Sequence, residues 1–446
     1  MQTNNNNNNM EQTKKNTPWV AIVTMFFMFA MISFVTNMAA PFGNIWKNHY
    51  SWAGMWGNMM NFLAYLIMGI PAGNLMARIG YKKTALWALG VGFVGMVVQY
   101  LSSLVGADTA TFSVSGEPVM LNFLVYLLGA FICGFCVCML NTVVNPMLSL
   151  LGGGGNRGNQ LIQTGGTLNS LTGTLTPLLV GAMIGTVTDR TAMSDVAPLL
   201  FIAMGVFAVA FVILLFVAIP EPSLRKEQAA TKDRYSAWSF RHLVLGVVAI
   251  FFYVGIEVGI PAELNFYLTD NAGPVASAAV GGAVAAVYWL LMMVGRAVSA
   301  SISGKVSTRT QLSVVAIVAI LFIVVAILLP ESVRISMPGY SVADGFAMFR
   351  VPLSALFLVL CGLCTSLMWG AIFNLAVEGL GKYVPQASGI FMMMVVGGGV
   401  MPLIQNWLAG IVGYMGSYWL VAAMLAYILF YALAGSKNVN RDIPVE

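Results

Sequence analysis

The chain alternates between long apolar runs and short polar connections along almost its whole length. Each run has about 18 residues or more, which is the length that a helix needs to cross the hydrocarbon core of a bilayer. The pattern predicts an all-α membrane protein with twelve transmembrane helices. The predicted spans 1 to 12 are 18–40, 52–77, 84–103, 121–148, 160–187, 198–219, 243–267, 277–302, 312–329, 351–379, 387–413 and 417–435.

The composition favours a multi-pass membrane protein over a soluble one. Hydrophobic residues make up 59% of the 446 residues and charged residues only 8%, whereas roughly a quarter of a soluble domain is charged. The five cysteines lie within apolar runs and are interpreted as small buried hydrophobes. The two histidines are too few for a catalytic metal cluster, and we predict no cofactor.

The basic residues predict how the spans are oriented. With both termini on one side, sixteen of the 21 Lys and Arg residues fall on that side, four fall on the other, and Arg296 lies within a span. Cytoplasmic loops carry such an excess of positive charge, so we expect both termini in the cytoplasm. The same distribution explains the net charge of +5 without a nucleic-acid partner.

The sequence also indicates an internal duplication. Asn37-x-x-x-Pro41 in span 1 recurs as Glu257-x-x-x-Pro261 in span 7, and three further motif pairs follow at nearly the same offset. We therefore predict two pseudo-symmetric halves of six helices, with a substrate site between them near the middle of the membrane. The predicted segments are a disordered tail 1–17, an N-terminal half 18–219, a cytoplasmic linker 220–242, a C-terminal half 243–435 and a cytoplasmic tail 436–446.

Glu257 is the most informative single residue. It is a carboxylate within an apolar span, where a charge costs roughly 2.5 kcal/mol or more and usually faces a cavity or a partner. Pro261, four residues later, offers no N–H to the carbonyl of Glu257. Arg296 in span 8 is the obvious partner, so a structural ion pair is one interpretation. The other interpretation, which we carry forward, is that Glu257 and Arg296 couple transport to an ion or bind the substrate.

The turn after span 2 resembles a motif of the major facilitator superfamily. It reads Gly73-Asn-Leu-Met-Ala77-Arg78-Ile-Gly80-Tyr-Lys82-Lys83 and is similar to that family's loop between helices 2 and 3. The resemblance implies the major facilitator fold. Ala77 stands where the family usually has an acid, so the usual charge pairing at the inner gate is in question. The residues that the resemblance assigns to a gating turn are Gly73, Arg78, Gly80, Lys82 and Lys83.

More narrowly, the chain resembles the fucose and glucose/galactose permease branch along nearly its whole length. The resemblance implies a sugar permease. It also implies acids in helices 1 and 4 of the fucose permease where this chain has Asn37 and Asn141, whose amides carry no proton. A coupled proton is therefore expected on Glu257. The stretches that carry the resemblance are Leu140-Asn141-Thr142-Val143-Val144-Asn145-Pro146, Thr167-Leu168-Asn169-Ser170, Phe252-Tyr253-Val254-Gly255, Gly295-Arg296, Ile372-Phe373-Asn374-Leu375 and Gly397-Gly398-Gly399.

Five amide side chains are candidate sugar ligands. The resemblance implies that Asn37, Asn141 and Asn169 line the N-terminal side of the cavity. An amide can bind sugar hydroxyls through both its donor and its acceptor, although hydrogen bonding between helices is an equally ordinary role. Gln163 and Asn374 are further candidates nearer the cytoplasmic ends of their spans.

Three aromatic residues are candidates for stacking against the apolar face of a sugar. They are Tyr288 and Trp289 in span 8 and Trp369 in span 10. The alternative for each is a position that faces lipid or the membrane interface.

These observations together predict a secondary active transporter of the bacterial inner membrane. It is expected to import a hexose, deoxyhexose or amino sugar by alternating access, coupled to protons through Glu257, and to work as a monomer among membrane lipids. An uncoupled or sodium-linked carrier and a small-disaccharide permease remain alternatives within the fold. An integral-membrane transferase would need a nucleophile, a base or a metal set that the two histidines and scattered acids do not supply. We therefore do not expect an enzyme.

Overall fold

The computed structural model confirms the predicted all-α membrane fold. It describes residues 4–50, 53, 56–114, 116–184, 193–219, 221, 235–269, 275, 278–341, 345–440 and 442–445. The helices are α1 (Asn4–His49), α2 (Trp56–Ile79), α3 (Tyr81–Leu101), α4 (Leu121–Leu151), α5 (Gly155–Ile184), α6 (Ala197–Phe216), α7 (Arg241–Thr269), α8 (Ala278–Ile302), α9 (Thr308–Leu328), α10 (Leu353–Thr365), α11 (Met368–Val377), α12 (Val384–Met393), α13 (Gly397–Val412) and α14 (Tyr414–Phe430). The strands are β1 (Ala110–Val114), β2 (Glu117–Met120), β3 (Arg334–Ser341) and β4 (Gly345–Pro352).

Eleven helical segments of the described chain are long and apolar enough to cross a membrane. The fifth predicted span is not among them, although α5 has 30 residues, because α5 carries many amide, hydroxyl and glycine positions. It packs mainly against α1 and α8. A helix of that length in that place completes the twelve-span arrangement, and some of its polar side chains bind residues outside α5, as Asn169 and Gln163 do.

Helix packing repeats between the two halves. In the first half α1 packs against α5, and α3 packs against α4 and α6. In the second half α7 packs in the same way against α13, and α9 packs against α10 and α14. The main contacts that join the halves are α2 with α12 and α5 with α8, which are themselves a symmetric pair. Two six-helix halves related by this repeat are the arrangement that the sequence predicted.

Predicted spans 10 and 11 are interrupted, where we expected continuous helices. α10 ends at Thr365 and α11 begins at Met368, while a 3₁₀ turn over Met394–Val396 separates α12 from α13. At the first break the carbonyl of Ser366 accepts a hydrogen bond from Nε of Arg296 at 3.1 Å. A side chain from another helix thus supplies a donor that a continuous helix takes from its own backbone.

Two β-hairpins, which the hydropathy pattern did not predict, occupy equivalent connections in the two halves. β1 pairs with β2 between α3 and α4, and β3 pairs with β4 between α9 and α10. The second hairpin is the longer, with a register that runs from Arg334 opposite Pro352 to Ser341 opposite Gly345. Both hairpins lie on the side of the bundle away from the α2–α3 turn, because each follows an odd-numbered span.

The N-terminal segment also differs from the expectation. α1 begins at Asn4, within the segment 1–17 that we predicted to be disordered. A helix that is already formed over an apolar span can add residues at its end without a new nucleation step. Most of the predicted linker 220–242, namely residues 222–234, lies outside the described residues.

Candidate functional site

A central cavity of about 190 Å³ lies between the two halves. Its walls come from α1, α2, α4 and α5 on one side and from α7, α8 and α11 on the other. The structure therefore brings together side chains from helices far apart in sequence. Eight of the predicted site residues line it: Asn37, Asn141, Gln163, Asn169, Glu257, Trp289, Arg296 and Trp369.

Arg296 lies at the centre of the polar contacts in this cavity. Its Nη2 donates to Oε1 of Glu257 at 3.1 Å, and the two side chains are 10% and 15% exposed. Its Nη1 donates to Oγ of Ser170 at 2.8 Å and to the carbonyl of Gly166 at 3.1 Å, both on α5. The guanidinium therefore compensates the buried carboxylate of the second half and holds it against α5 of the first half.

The three asparagines each bind protein as well as facing the cavity. Nδ2 of Asn141 donates to the hydroxyl of Tyr65 at 2.7 Å, which joins α4 to α2. Nδ2 of Asn169 donates to the carbonyl of Phe29 at 2.9 Å, which joins α5 to α1. Nδ2 of Asn37 donates to a backbone carbonyl one turn earlier in α1 at 2.8 Å. The structural role that we weighed against binding is present, and both roles are compatible because these side chains also line the cavity.

Gln163 joins the halves at the floor of the cavity. Its Nε2 donates to the carbonyl of Leu367 at 2.8 Å, at the break between α10 and α11. Gln163 is 2% exposed. This contact ties α5 to the interrupted span opposite, so Gln163 holds the cavity floor in addition to lining it.

Two of the three aromatic candidates reach the cavity. Trp289 and Trp369 line it, whereas Tyr288 is fully buried and its hydroxyl lies 2.8 Å from Oγ1 of Thr365. Tyr288 lies on the face of α8 that packs against α10, the helix that carries Thr365. The suggestion that Tyr288 stacks on a sugar therefore does not agree with its position.

Asn374 lies outside the central cavity. It lines a larger cavity of about 720 Å³ at the basic end of the bundle, which we define as the end that carries the α2–α3 turn. Its Oδ1 accepts from Oγ of Ser149 at 3.2 Å and its Nδ2 donates to the carbonyl of Gly155 at 2.8 Å. Asn374 of α11 therefore joins the second half to α4 and α5 of the first half below the central cavity, and its contact with substrate stays a prediction.

A thin layer of side chains separates the two cavities. Nε1 of Trp369 donates to Oδ1 of Asn145 at 3.1 Å across the halves. Trp369 lines the central cavity, and the pair Ser149 and Asn374 lines the larger one. These contacts, which we call the α4–α11 layer, close the central cavity toward the basic end. The larger cavity lies on the other side of this layer.

The α2–α3 turn is held by an acid that the sequence analysis did not single out. Gly80 has a φ of +88°, which favours glycine, and α3 begins directly after it. The carboxylate of Glu221 accepts from the backbone N–H of Tyr81 at 2.8 Å and of Lys82 at 2.9 Å. A negative charge at a helix N-terminus is favourable. Glu221 thus provides a carboxylate at the turn in which Ala77 replaces the usual acid.

Gly73 allows the halves to approach closely near this turn. A Cβ on Gly73 would lie 2.6 Å from the carbonyl oxygen of Pro385 and 2.9 Å from Cα of Gly389, both on α12. Arg78 and Lys83 are exposed. Of the predicted gating residues, Gly73 is therefore the one that contacts the opposite half most closely.

The cavity walls include residues that no sequence signal indicated. They include Tyr65, which orients Asn141, and the apolar residues Phe29, Ile32, Phe62 and Val258. In a chain where nearly every span is apolar, composition alone does not show which apolar residues face the cavity.

A duplicated six-helix bundle, with amides and a buried ion pair lining a cavity between its halves, is the architecture of a membrane transporter. The chain belongs to the Major Facilitator Superfamily, whose family model matches residues 19–349. This confirms the family resemblance seen in the sequence.

Similar proteins agree with this assignment. The chain is 28% identical to a glucose/galactose transporter of Brucella abortus over 444 residues, with 98% of each chain covered. It is 27% identical to a putative glucose/galactose transporter of Helicobacter pylori, with 96% of this chain and 99% of that protein covered. Among solved structures, a variant of the Escherichia coli fucose:proton symporter superposes with a TM-score of 0.75 at 18% identity, over 94% of this chain and 99% of that one.

Proposed function

We propose that this chain imports a monosaccharide by alternating access and that a proton carried on Glu257 drives the uptake. The observation that carries the proposal is the central cavity, in which amides from the first half face tryptophans and the Glu257–Arg296 pair of the second. The similarity to glucose/galactose transporters over nearly the whole chain supports a sugar as substrate.

The size and chemistry of the cavity favour one sugar ring over two. A volume of about 190 Å³ corresponds to about six water molecules at about 30 Å³ each. Neutral amides suit hydroxyl groups, because they offer both donors and acceptors. Trp289, which is 40% exposed, provides a flat apolar face for the ring. A small disaccharide is therefore the less favoured substrate.

The coupling step is assigned to the Glu257–Arg296 pair. A proton on Glu257 removes its charge, weakens its hydrogen bond with Arg296 and leaves both groups able to bind sugar hydroxyls. Re-formation of the ion pair when the halves rearrange would expel the proton on the opposite side. The break between α10 and α11 is part of this assembly, because Nε of Arg296 binds the carbonyl of Ser366 there.

An uncoupled carrier is the second candidate, and a specific observation favours it. Glu257 is already neutralised by Arg296 at 3.1 Å, and the asparagines at positions 37 and 141 carry no proton. In that case the ion pair would be a fixed structural link between α7, α8 and α5.

The basic end of the bundle is proposed to face the cytoplasm of a bacterial cell, with the chain in the inner membrane and acting as a monomer. The excess of Lys and Arg on that side supports this orientation. In this orientation the α4–α11 layer closes the inner side of the cavity.

Substrate counterflow tests the proposal without any assumption about coupling. Purified protein in liposomes loaded with unlabelled sugar would be given radiolabelled glucose, galactose, fucose, an amino sugar or lactose outside. We expect exchange with at least one monosaccharide and a large loss in Trp289→Ala, while Trp407→Ala, which removes a tryptophan 68% exposed outside the cavity, keeps exchange unchanged. Exchange of lactose alone, or of no sugar by active protein, would contradict the proposal.

A further inference from the structure

α7 packs unusually closely on α13 along one face. The α7 residues on this face are Gly255, Gly259 and Glu263, which are spaced four apart and therefore lie one above another. A Cβ on Gly255 would lie 2.5 Å from Cβ of Met401, and a Cβ on Gly259 would lie 2.5 Å from Oε1 of Gln405. Small residues let two helices approach each other this closely. Glu263 completes this tightly packed face.

Glu263 is a second buried carboxyl group on α7. Its residue is only 2% exposed. Both carboxyl oxygens lie 3.4 Å from Nδ2 of Asn406, beyond the usual length of a good N–H···O bond. Within the described residues no Lys, Arg or His forms an ion pair with it. Glu263 thus differs from Glu257, which has Arg296.

Gln405 of α13 offers a hydrogen-bond acceptor to a protonated Glu263. The residue is fully buried, and neither Oε1 nor Nε2 has a hydrogen-bond partner. Its amide lies against Gly259, one turn before Glu263. A helical side chain leans over the turn on its N-terminal side, so the carboxyl group of Glu263 covers this same turn. The buried amide of Gln405, which has no hydrogen-bond partner, therefore lies against the same turn of α7 that the carboxyl group of Glu263 covers.

Among the described residues, the side chains that lie closest to Glu263 are neutral. The charged groups Glu331, whose Oε1 accepts from the hydroxyl of Tyr267 at 2.9 Å, and Arg334 lie around Tyr267, one turn further along α7. Tyr418 of α14 faces Glu263, but the tyrosine hydroxyl donates to the carbonyl of Ile260 at 2.9 Å. Tyr288 of α8, Cys361 of α10 and Tyr267 of α7 lie around Tyr418, and such side chains are neutral at physiological pH. Asn406 and Gln405 on α13 are neutral amides.

We propose that Glu263 is a second proton-binding site, in which the neutral carboxylic acid donates its O–H to Oε1 of Gln405. The proton removes a charge that the closely packed α7–α13 interface cannot compensate. When the proton leaves to water, the uncompensated charge of the carboxylate destabilises the packing of α7 on α13. The part of α7 beyond Pro261 then becomes less tightly packed. This site deepens the proposed proton-coupled function, since it lies six residues beyond Glu257 on the same helix and on the side away from the basic end.

Infrared difference spectra of the full-length protein in lipid nanodiscs test this site without any sugar. A protonated carboxyl group has a C=O stretch that a carboxylate lacks. We expect that band in wild type at neutral pH, its loss in Glu263→Gln, and its retention in the control Glu257→Gln. Gln405→Leu, which removes the acceptor at similar size, should shift the band.

Two results would overturn the inference. One is the absence, in folded wild type at neutral pH, of a protonated-carboxyl band that Glu263→Gln removes. The other is a band that sodium chloride abolishes at constant pH while choline chloride does not, which would make this a sodium site. Thermal melting checks that the variants are folded. Because glutamine has nearly the same shape as protonated glutamate, Glu263→Gln should melt like wild type at neutral pH. Since the spectra do not depend on transport, failure of the sugar proposal would leave this result interpretable, and the reverse also holds.

Discussion

Removal of Arg296 should destabilise the protein far more than removal of an exposed arginine. Arg296→Gln leaves the carboxylate of Glu257 without its partner at 3.1 Å and takes donors from the carbonyls of Gly166 and Ser366. Loss of one partner from a buried ion pair costs about 3–5 kcal/mol. For a unit the size of one half, about 1 kcal/mol lowers the melting temperature by about 2–4 °C. We therefore expect a drop of roughly 6–20 °C.

The double variant Arg296→Gln/Glu257→Gln separates the charge from the packing. Because it contains no uncompensated carboxylate, it should recover about 2 kcal/mol relative to Arg296→Gln alone. The matched control is Arg78→Gln, which removes an exposed arginine that forms no ion pair within the described residues. Substitutions at such surface positions usually change stability by no more than about 0.5 kcal/mol. Melting of purified protein in detergent measures all four. A double variant that melts no higher than Arg296→Gln would refute the argument that the charge of Glu257 causes the loss.

Three further predictions concern the contacts around the site. Trp369→Phe keeps an aromatic ring, although a smaller one, but loses the bond to Asn145. It should therefore favour opening toward the basic end and increase labelling of cysteines introduced in the larger cavity; unchanged labelling would argue against this layer as a gate. Gly73→Ala should slow uptake at least tenfold because the added Cβ meets α12, while Gly90→Ala, which meets nothing within 4 Å, should transport normally. Glu221→Gln should reduce stability by about 0.5–2 kcal/mol, the usual range for a lost helix cap, and an unchanged melting temperature would show that the carboxylate does not stabilise the turn.

Much of the fold follows from the sequence because a bilayer sets the length of an apolar helix. That constraint predicted the spans, and the repeated motifs predicted two halves. The exceptions were harder to predict from the sequence. At the break beside Ser366, the donor comes from Arg296, seventy residues earlier in the chain. The two hairpins lie in the connections between spans, where the hydropathy pattern does not predict strands.

The candidate site was visible from the sequence where a polar residue interrupts an apolar span. Glu257, Arg296 and Asn141 all line the cavity, because burying such groups in lipid is costly. Apolar wall residues such as Phe62 gave no signal, since they match their surroundings. The sequence also did not predict which way each side chain points from its helix. Tyr288 is an example, since it is buried against Thr365 and does not line the cavity.

Uptake driven by an imposed pH gradient tests the central claim most directly. Proteoliposomes with an outside-acidic gradient would receive the radiolabelled sugar identified by counterflow, with wild type compared to Glu257→Gln. We predict that wild type accumulates sugar above its external concentration, and that Glu257→Gln still exchanges sugar but does not accumulate it. Wild-type uptake that ignores the gradient would contradict proton coupling, and equal gradient-driven accumulation by both proteins would contradict the role of Glu257.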